Sequence, residues 1–133
     1  MAKAALYMAG TATRDVAAGE AIPLGRVIRK FGCCITGNMD DITLTEMGYY
    51  QLNASFTVVP DTTGSIVVRA YDVATAIPGA EATATVWTTD VPVTITIPYI
   101  VRATRCCDPM TITFVIEGGD AAVTSSAVSV IKL

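Results

Sequence analysis

"GYYQLNASFTV", Gly48 to Val58, is the stretch that decides the fold. Tyr50, Leu52, Ala54, Phe56 and Val58 stand on one parity, and Tyr49, Gln51, Asn53, Ser55 and Thr57 on the other. Successive side chains on a strand point to opposite sides, so this alternation is that of a strand with one buried and one polar face. Pro60 has no N–H to give a ladder and marks its end. The apolar parity is expected to face an opposing sheet, and the other parity to face solvent or a neighbouring subunit.

The same alternation recurs on both sides of that stretch. "DITLT" places Ile42 and Leu44 together after a turn at Gly37 and Asn38; "VPVTITIPYIV" places Val93, Ile95 and Ile97 together; "TITFVIEGG" does so with Ile112, Phe114 and Ile116. "SIVVRAYDVA" and "EATATVWTT" read as strands about "AIPGA", taken as a tight turn at Pro78 and Gly79, and "AVSVIKL" closes the chain as a last strand. No window holds apolar residues at helical spacing over more than two turns, so helix is at most a minor component. Eight to ten antiparallel strands about ten residues apart predict an all-β sandwich or jelly roll. From Ala4 to Gly32 the pattern is loose, with a surface connection containing Gly19, Pro23 and Gly25. Residues 1–25 therefore read as an N-terminal extension or docking strap, and residues 26–133 as the jelly-roll domain.

Composition narrows the function classes. The 133-residue chain is 52% hydrophobic and 16% charged, with a net charge of −3, and no apolar run approaches the length a membrane helix needs. Neither membrane nor nucleic acid is expected as a partner, the latter because the scattered Lys and Arg form no basic stripe. "MAKAALYMAG" lacks the long apolar region of a secretory signal, so synthesis and folding in the cytoplasm are expected. So much apolar side chain beside so few charges points to burial between subunits, hence to a homo-oligomer.

The chain has no histidine, which removes Ser-His-Asp and Cys-His arrangements and the usual base near neutral pH. The doublet Asp40-Asp41 sits beside Gly37 and Asn38, where Asp serves turns by capping amides. "IEGGD" and "VPDTTG" are too poor in carboxylates for a calcium loop. An enzyme is not expected, nor a cofactor. Four cysteines form two vicinal pairs, Cys33-Cys34 and Cys106-Cys107. Zinc would need all four thiolates to converge, yet neighbours on a strand diverge and the C-x-x-C spacing is missing, so no metal is expected. Small buried hydrophobes with spare thiols, or pairing between the two pairs once the protein leaves a reducing compartment, remain as readings of Cys33, Cys34, Cys106 and Cys107. Of the aromatics, Trp87 and Tyr71 share parities with Thr85 and Arg69, which puts them on an outer or intersubunit surface.

"DDITLTEMGYYQLNASFTV" resembles the strand pair of the tumour necrosis factor (TNF) and complement-head superfamily of trimeric jelly rolls, with Ile42, Leu44, Gly48, Tyr50, Leu52 and Phe56 in the apolar, glycine and tyrosine places. "SIVVRAYDVATAIPGAEATA" is similar to the following hairpin, keeping Ile77-Pro78-Gly79-Ala80 but lacking the Asn-Gly of the bacterial branch, and "AVSVIKL" to the last strand. The opening "AALYMAGTATRDVAAGEAIPLGRVIRKFGCCI" is similar to small proteins of tailed bacteriophages within that superfamily. The resemblance implies a homotrimeric virion component on the capsid surface, a decoration (cement) protein or head fibre with the major capsid protein as partner. The alternative is a trimeric host-surface or glycan-binding knob of a fibre or tail tip. It also implies a threefold axis lined by Gly48–Val58 and the terminal strand, with Tyr50, Phe56, Val128 and Val130 as the expected interface side chains.

Overall fold

The computed structural model describes residues 4–103 and 109–133. Cys106 and Cys107 lie outside the described residues. Eleven strands run in chain order among the described residues: β1 (Ala5–Gly10), β2 (Arg14–Val16), β3 (Arg26–Phe31), β4 (Ile35–Gly37), β5 (Ile42–Leu44), β6 (Gly48–Pro60), β7 (Gly64–Asp72), β8 (Thr75–Val86), β9 (Val93–Ala103), β10 (Met110–Glu117) and β11 (Ala121–Lys132). They form two antiparallel sheets, the first in the order β3-β1-β11-β6-β9 with β2 added to β11, the second in the order β4-β5-β10-β7-β8. The count exceeds the expected ten because β2 is a three-residue pairing with β11, too short to show a period in "TATRDV". No helix of the described residues is long and apolar enough to cross a membrane.

The strand that decides the fold, β6, lies between β11 and β9, and its alternation is complete: Tyr50, Leu52, Ala54, Phe56, Val58 and Pro60 are all buried. Its inward row meets that of β10. Phe56 stacks tilted on Phe114 with ring centroids 5.3 Å apart, and Tyr99 meets Phe114 edge-on at 6.4 Å. Such offset and edge contacts are the favoured geometry for aromatic pairs.

Three expectations change. The N-terminal segment is built into the sandwich and is not a separate strap. β1 pairs with β11 on one side and β3 on the other, while Leu6, Met8, Val16, Ile22 and Leu24 are buried. Residues 19–22 hydrogen-bond along β10 (Ile22 N–H to Phe114 O at 2.7 Å, Gly19 N–H to Ile116 O at 2.8 Å), closing the gap between the sheets where β5 ends. The loose pattern arises because the segment crosses between sheets, so its buried side chains follow no single period. "AIPGA" is not the hairpin turn. The chain reverses at Val73 and Ala74, and residues 77–80 bulge from β8, whose ladder resumes at Glu81 opposite Arg69. Pro78 cannot donate and Gly79 has φ +78°, so an edge-strand bulge is where they fit. Finally, Tyr50, Phe56, Val128 and Val130 have no exposed surface within a single protomer. All four point between the two sheets; the row that faces outward is the opposite parity.

Candidate self-association face

The outer face of the first sheet is built from that opposite parity. Register places Phe31, Ala5, Ile131, Gln51 and Ile100 in one row across β3, β1, β11, β6 and β9. The next rows run Arg29, Tyr7, Ser129, Asn53, Pro98 and then Arg26, Ala9, Ala127, Ser55, Thr96. Tyr49 pairs with Arg102 at the end of β6, and the guanidinium lies over the tyrosine ring, 5.5 Å from its centroid. Five large apolar side chains stand open on this one face: Phe31 is 66% exposed, Ile100 61%, Tyr49 51%, Ile131 47% and Tyr7 40%.

Single exposed apolar residues are ordinary on a protein surface, whereas a registered group on one sheet is a mark of contact. The centre of the face holds Ala5, Ala9, Ala127, Ser55 and Ser129, small enough for another backbone to approach closely. Arg26, Arg29 and Arg102 stand at its borders on the outer strands β3 and β9. Of these residues, the tyrosines, the phenylalanine and the arginines are types enriched where proteins meet.

The second sheet has a different exterior. Thr36, Thr43, Thr83, Thr85, Thr111 and Thr113 cover it. Arg69 pairs with Glu81 at 2.6 Å and Glu117 at 3.0 Å, and the Tyr71 hydroxyl donates to Glu117 at 2.7 Å. These groups satisfy one another and leave an ordinary polar surface. The expected outward positions of Tyr71 and Trp87 hold, Trp87 being 86% exposed at the turn after β8.

A second constellation lies at one end of the sandwich, where the bend of Gly32, Cys33 and Cys34 meets the β5–β6 turn. The Cys33 and Cys34 sulfurs are 2.7 Å apart, the Cys34 thiol donates to Glu46 Oε2 at 2.5 Å, and Lys132 Nζ pairs with Glu46 Oε1 at 2.8 Å. The Tyr50 hydroxyl, at the end of an otherwise buried side chain, donates to the Glu46 carbonyl at 2.6 Å. Its contacts with Cys33 first, then Glu46, push the Cys34 thiol up to about 12. The same thiol, followed by Lys132, holds the Glu46 carboxyl below its usual range. Cys33, Cys34 and Glu46 could each offer a ligand atom to a metal. Both Glu46 oxygens are already engaged and Cys34 keeps its proton, so the trio forms a hydrogen-bonded network. Sequence reading kept these cysteines on a strand with diverging side chains; the bend brings them together. Of the other acidic candidates, Asp41 accepts from Asn38 N–H through its backbone carbonyl at 2.8 Å, and Asp120 Oδ1 accepts from the distant Ala18 N–H at 2.8 Å.

The two sheets, their strand order and the separate exteriors define a class, the TNF- and complement-like jelly roll. No family model matches the chain, and no curated protein sequence matches it. Solved structures do match. Murine APRIL at pH 5.0 aligns with a TM-score of 0.73 at 13% identity, covering 98% of this chain and 99% of that one. The globular domain of zebrafish complement 1qA protein aligns with a TM-score of 0.68 at 10% identity over 98% and 96% of the two chains. The PRD1 vertex protein P5 aligns with a TM-score of 0.64 at 16% identity, again over 98% and 96%. At such identities the likeness is one of fold.

Proposed function

We propose that this protein is a non-enzymatic structural component of a phage virion, a homotrimer that decorates the capsid surface or forms a small head fibre. The observation that carries the reading is the exterior of the first sheet, where Tyr7, Phe31, Tyr49, Ile100 and Ile131 stand uncovered in register while the second sheet is clothed in threonine and ion pairs. A face of this kind is covered in the working protein, and a second and third copy of the chain supply the matching surface. The fold it shares with the phage PRD1 vertex protein P5 supports the virion setting, with the major capsid protein as the further partner. Quantitative mass spectrometry of purified particles tests the reading. Many copies per particle are expected for a decoration protein and few for a fibre; absence from particles that carry the rest of the shell would overturn it.

A recognition role is the second reading, favoured by the exposure of Trp87 at the turn after β8, since an open indole is a stacking platform for a sugar ring. Loss of host-cell attachment in Trp87→Ala particles of unchanged assembly would move the function there.

A further inference from the structure

We propose that Cys33 and Cys34 are a redox-responsive vicinal dithiol, held by the fold so that it closes to a vicinal disulfide on meeting a disulfide oxidant such as oxidised glutathione. Adjacent cysteines in regular β structure send their sulfurs to opposite faces. Here the chain leaves β3 through Gly32 at φ +76° and Cys34 at φ +84°. The left-handed backbone at Cys34 is one that a residue with a Cβ rarely adopts, and such outliers persist where the surroundings impose them. Here the Thr45 N–H and hydroxyl both donate to Cys34 O, at 2.9 and 3.3 Å, and Glu46 accepts from the Cys34 thiol. The outcome is a sulfur–sulfur separation of 2.7 Å, from which bond formation needs an approach of roughly 0.7 Å.

The chemistry follows from the two environments. Cys33 is exposed, and Cys34, pushed up to about 12, keeps its proton at neutral pH, so the first attack falls to Cys33. The Cys33 thiolate attacks one sulfur of oxidised glutathione, forming a mixed disulfide and expelling one glutathione thiolate, which takes up the proton Cys33 has lost. Cys34, its sulfur 2.7 Å from that of Cys33, then attacks the Cys33 sulfur, and its proton passes to the second glutathione as that thiolate leaves. The protein has given up two electrons and two protons, and the glutathione disulfide has been reduced to two thiols. In a reducing compartment the pair stays open, and outside one it closes.

The test uses the wild-type protein. Reduced, folded protein is incubated with oxidised glutathione, remaining thiols are alkylated, and the product is digested with trypsin. Cleavage after Lys30, Arg69 and Arg105 puts Cys33 and Cys34 in the fragment 31–69 and Cys106 and Cys107 in another, so the pairs are read separately. The expected fragment 31–69 carries no alkyl group and is lighter by two hydrogens. In the Cys34→Ser variant the oxidant should leave glutathione on Cys33. Closure in the native protein should be at least roughly tenfold faster than in urea, because the fold supplies the proximity. A doubly alkylated fragment, a glutathione adduct persisting on the wild type, a link to the Cys106 and Cys107 fragment, or equal rates in native and unfolded protein would each overturn the proposal.

Discussion

Phe56→Ala separates the two parities of β6 most sharply. The ring has no exposed surface and contacts Phe114 across the sandwich at a centroid distance of 5.3 Å. Truncating a buried phenylalanine costs about 3–5 kcal/mol through lost transfer energy and the cavity left behind, and the tilted aromatic contact with Phe114 places this site in the upper part of that range. With an m-value of about 2 kcal/mol/M, a loss of about 4 kcal/mol lowers the urea midpoint by roughly 2 M. The assay is urea unfolding followed by circular dichroism at one fixed protein concentration, since association makes apparent stability depend on concentration. The variant's subunit number should equal that of the wild type below its midpoint. A midpoint shift equivalent to less than about 1 kcal/mol, or dissociation of an otherwise equally stable protein, would refute the reasoning by putting the ring between subunits.

The converse variant, Ile131→Asp, introduces a carboxylate into the apolar row beside Ala5 and Gln51, where the parent side chain is half exposed in the protomer; it should dissociate the assembly while moving the monomer's unfolding by less than about 1 kcal/mol, read by sedimentation velocity beside circular dichroism. Deleting residues 1–19 removes β1 from between β3 and β11 together with buried Leu6, Met8 and Val16, so the remainder should fail to fold or should aggregate through the opened β11 edge; a soluble, folded truncation with native circular dichroism would contradict this. Because the folded Glu46 carboxyl titrates below its ordinary value of 4.5, the stability it contributes is present above that value and lost as the pH falls through the folded one. The melting temperature should therefore drop below about pH 4.5, and Glu46→Gln should flatten that dependence.

What the sequence made legible was the element whose burial is one-sided. β6, β9, β10 and β11 alternate because one face meets the core and the other does not, so the all-β sandwich and most of its core follow from pattern alone. The N-terminal segment was misread because Val16, Ile22 and Leu24 are buried from a chain crossing between sheets, where spacing follows the path and no period. The inward placement of Tyr50 and Phe56 has a more instructive reason. Tyr50 and Phe56 are the conspicuous aromatics of β6, but conspicuous apolar side chains on a half-buried strand belong to the nearest core; the open outer face shows as isolated residues, Tyr7, Phe31, Ile100 and Ile131, that only the register of five strands collects. Tyr49 alone announced itself, being the neighbour of Tyr50 on the opposite parity. The thiol cluster was illegible because a left-handed bend at Cys34, with no glycine at that position to signal it, decides where its side chain goes.

The central claim is that the outer face of the first sheet is covered by further copies of this chain. Sedimentation equilibrium of the wild-type protein at micromolar concentration tests it most directly. The account predicts a single species of three times the 13.9 kDa chain mass, whereas a stable monomer across that concentration range would contradict it.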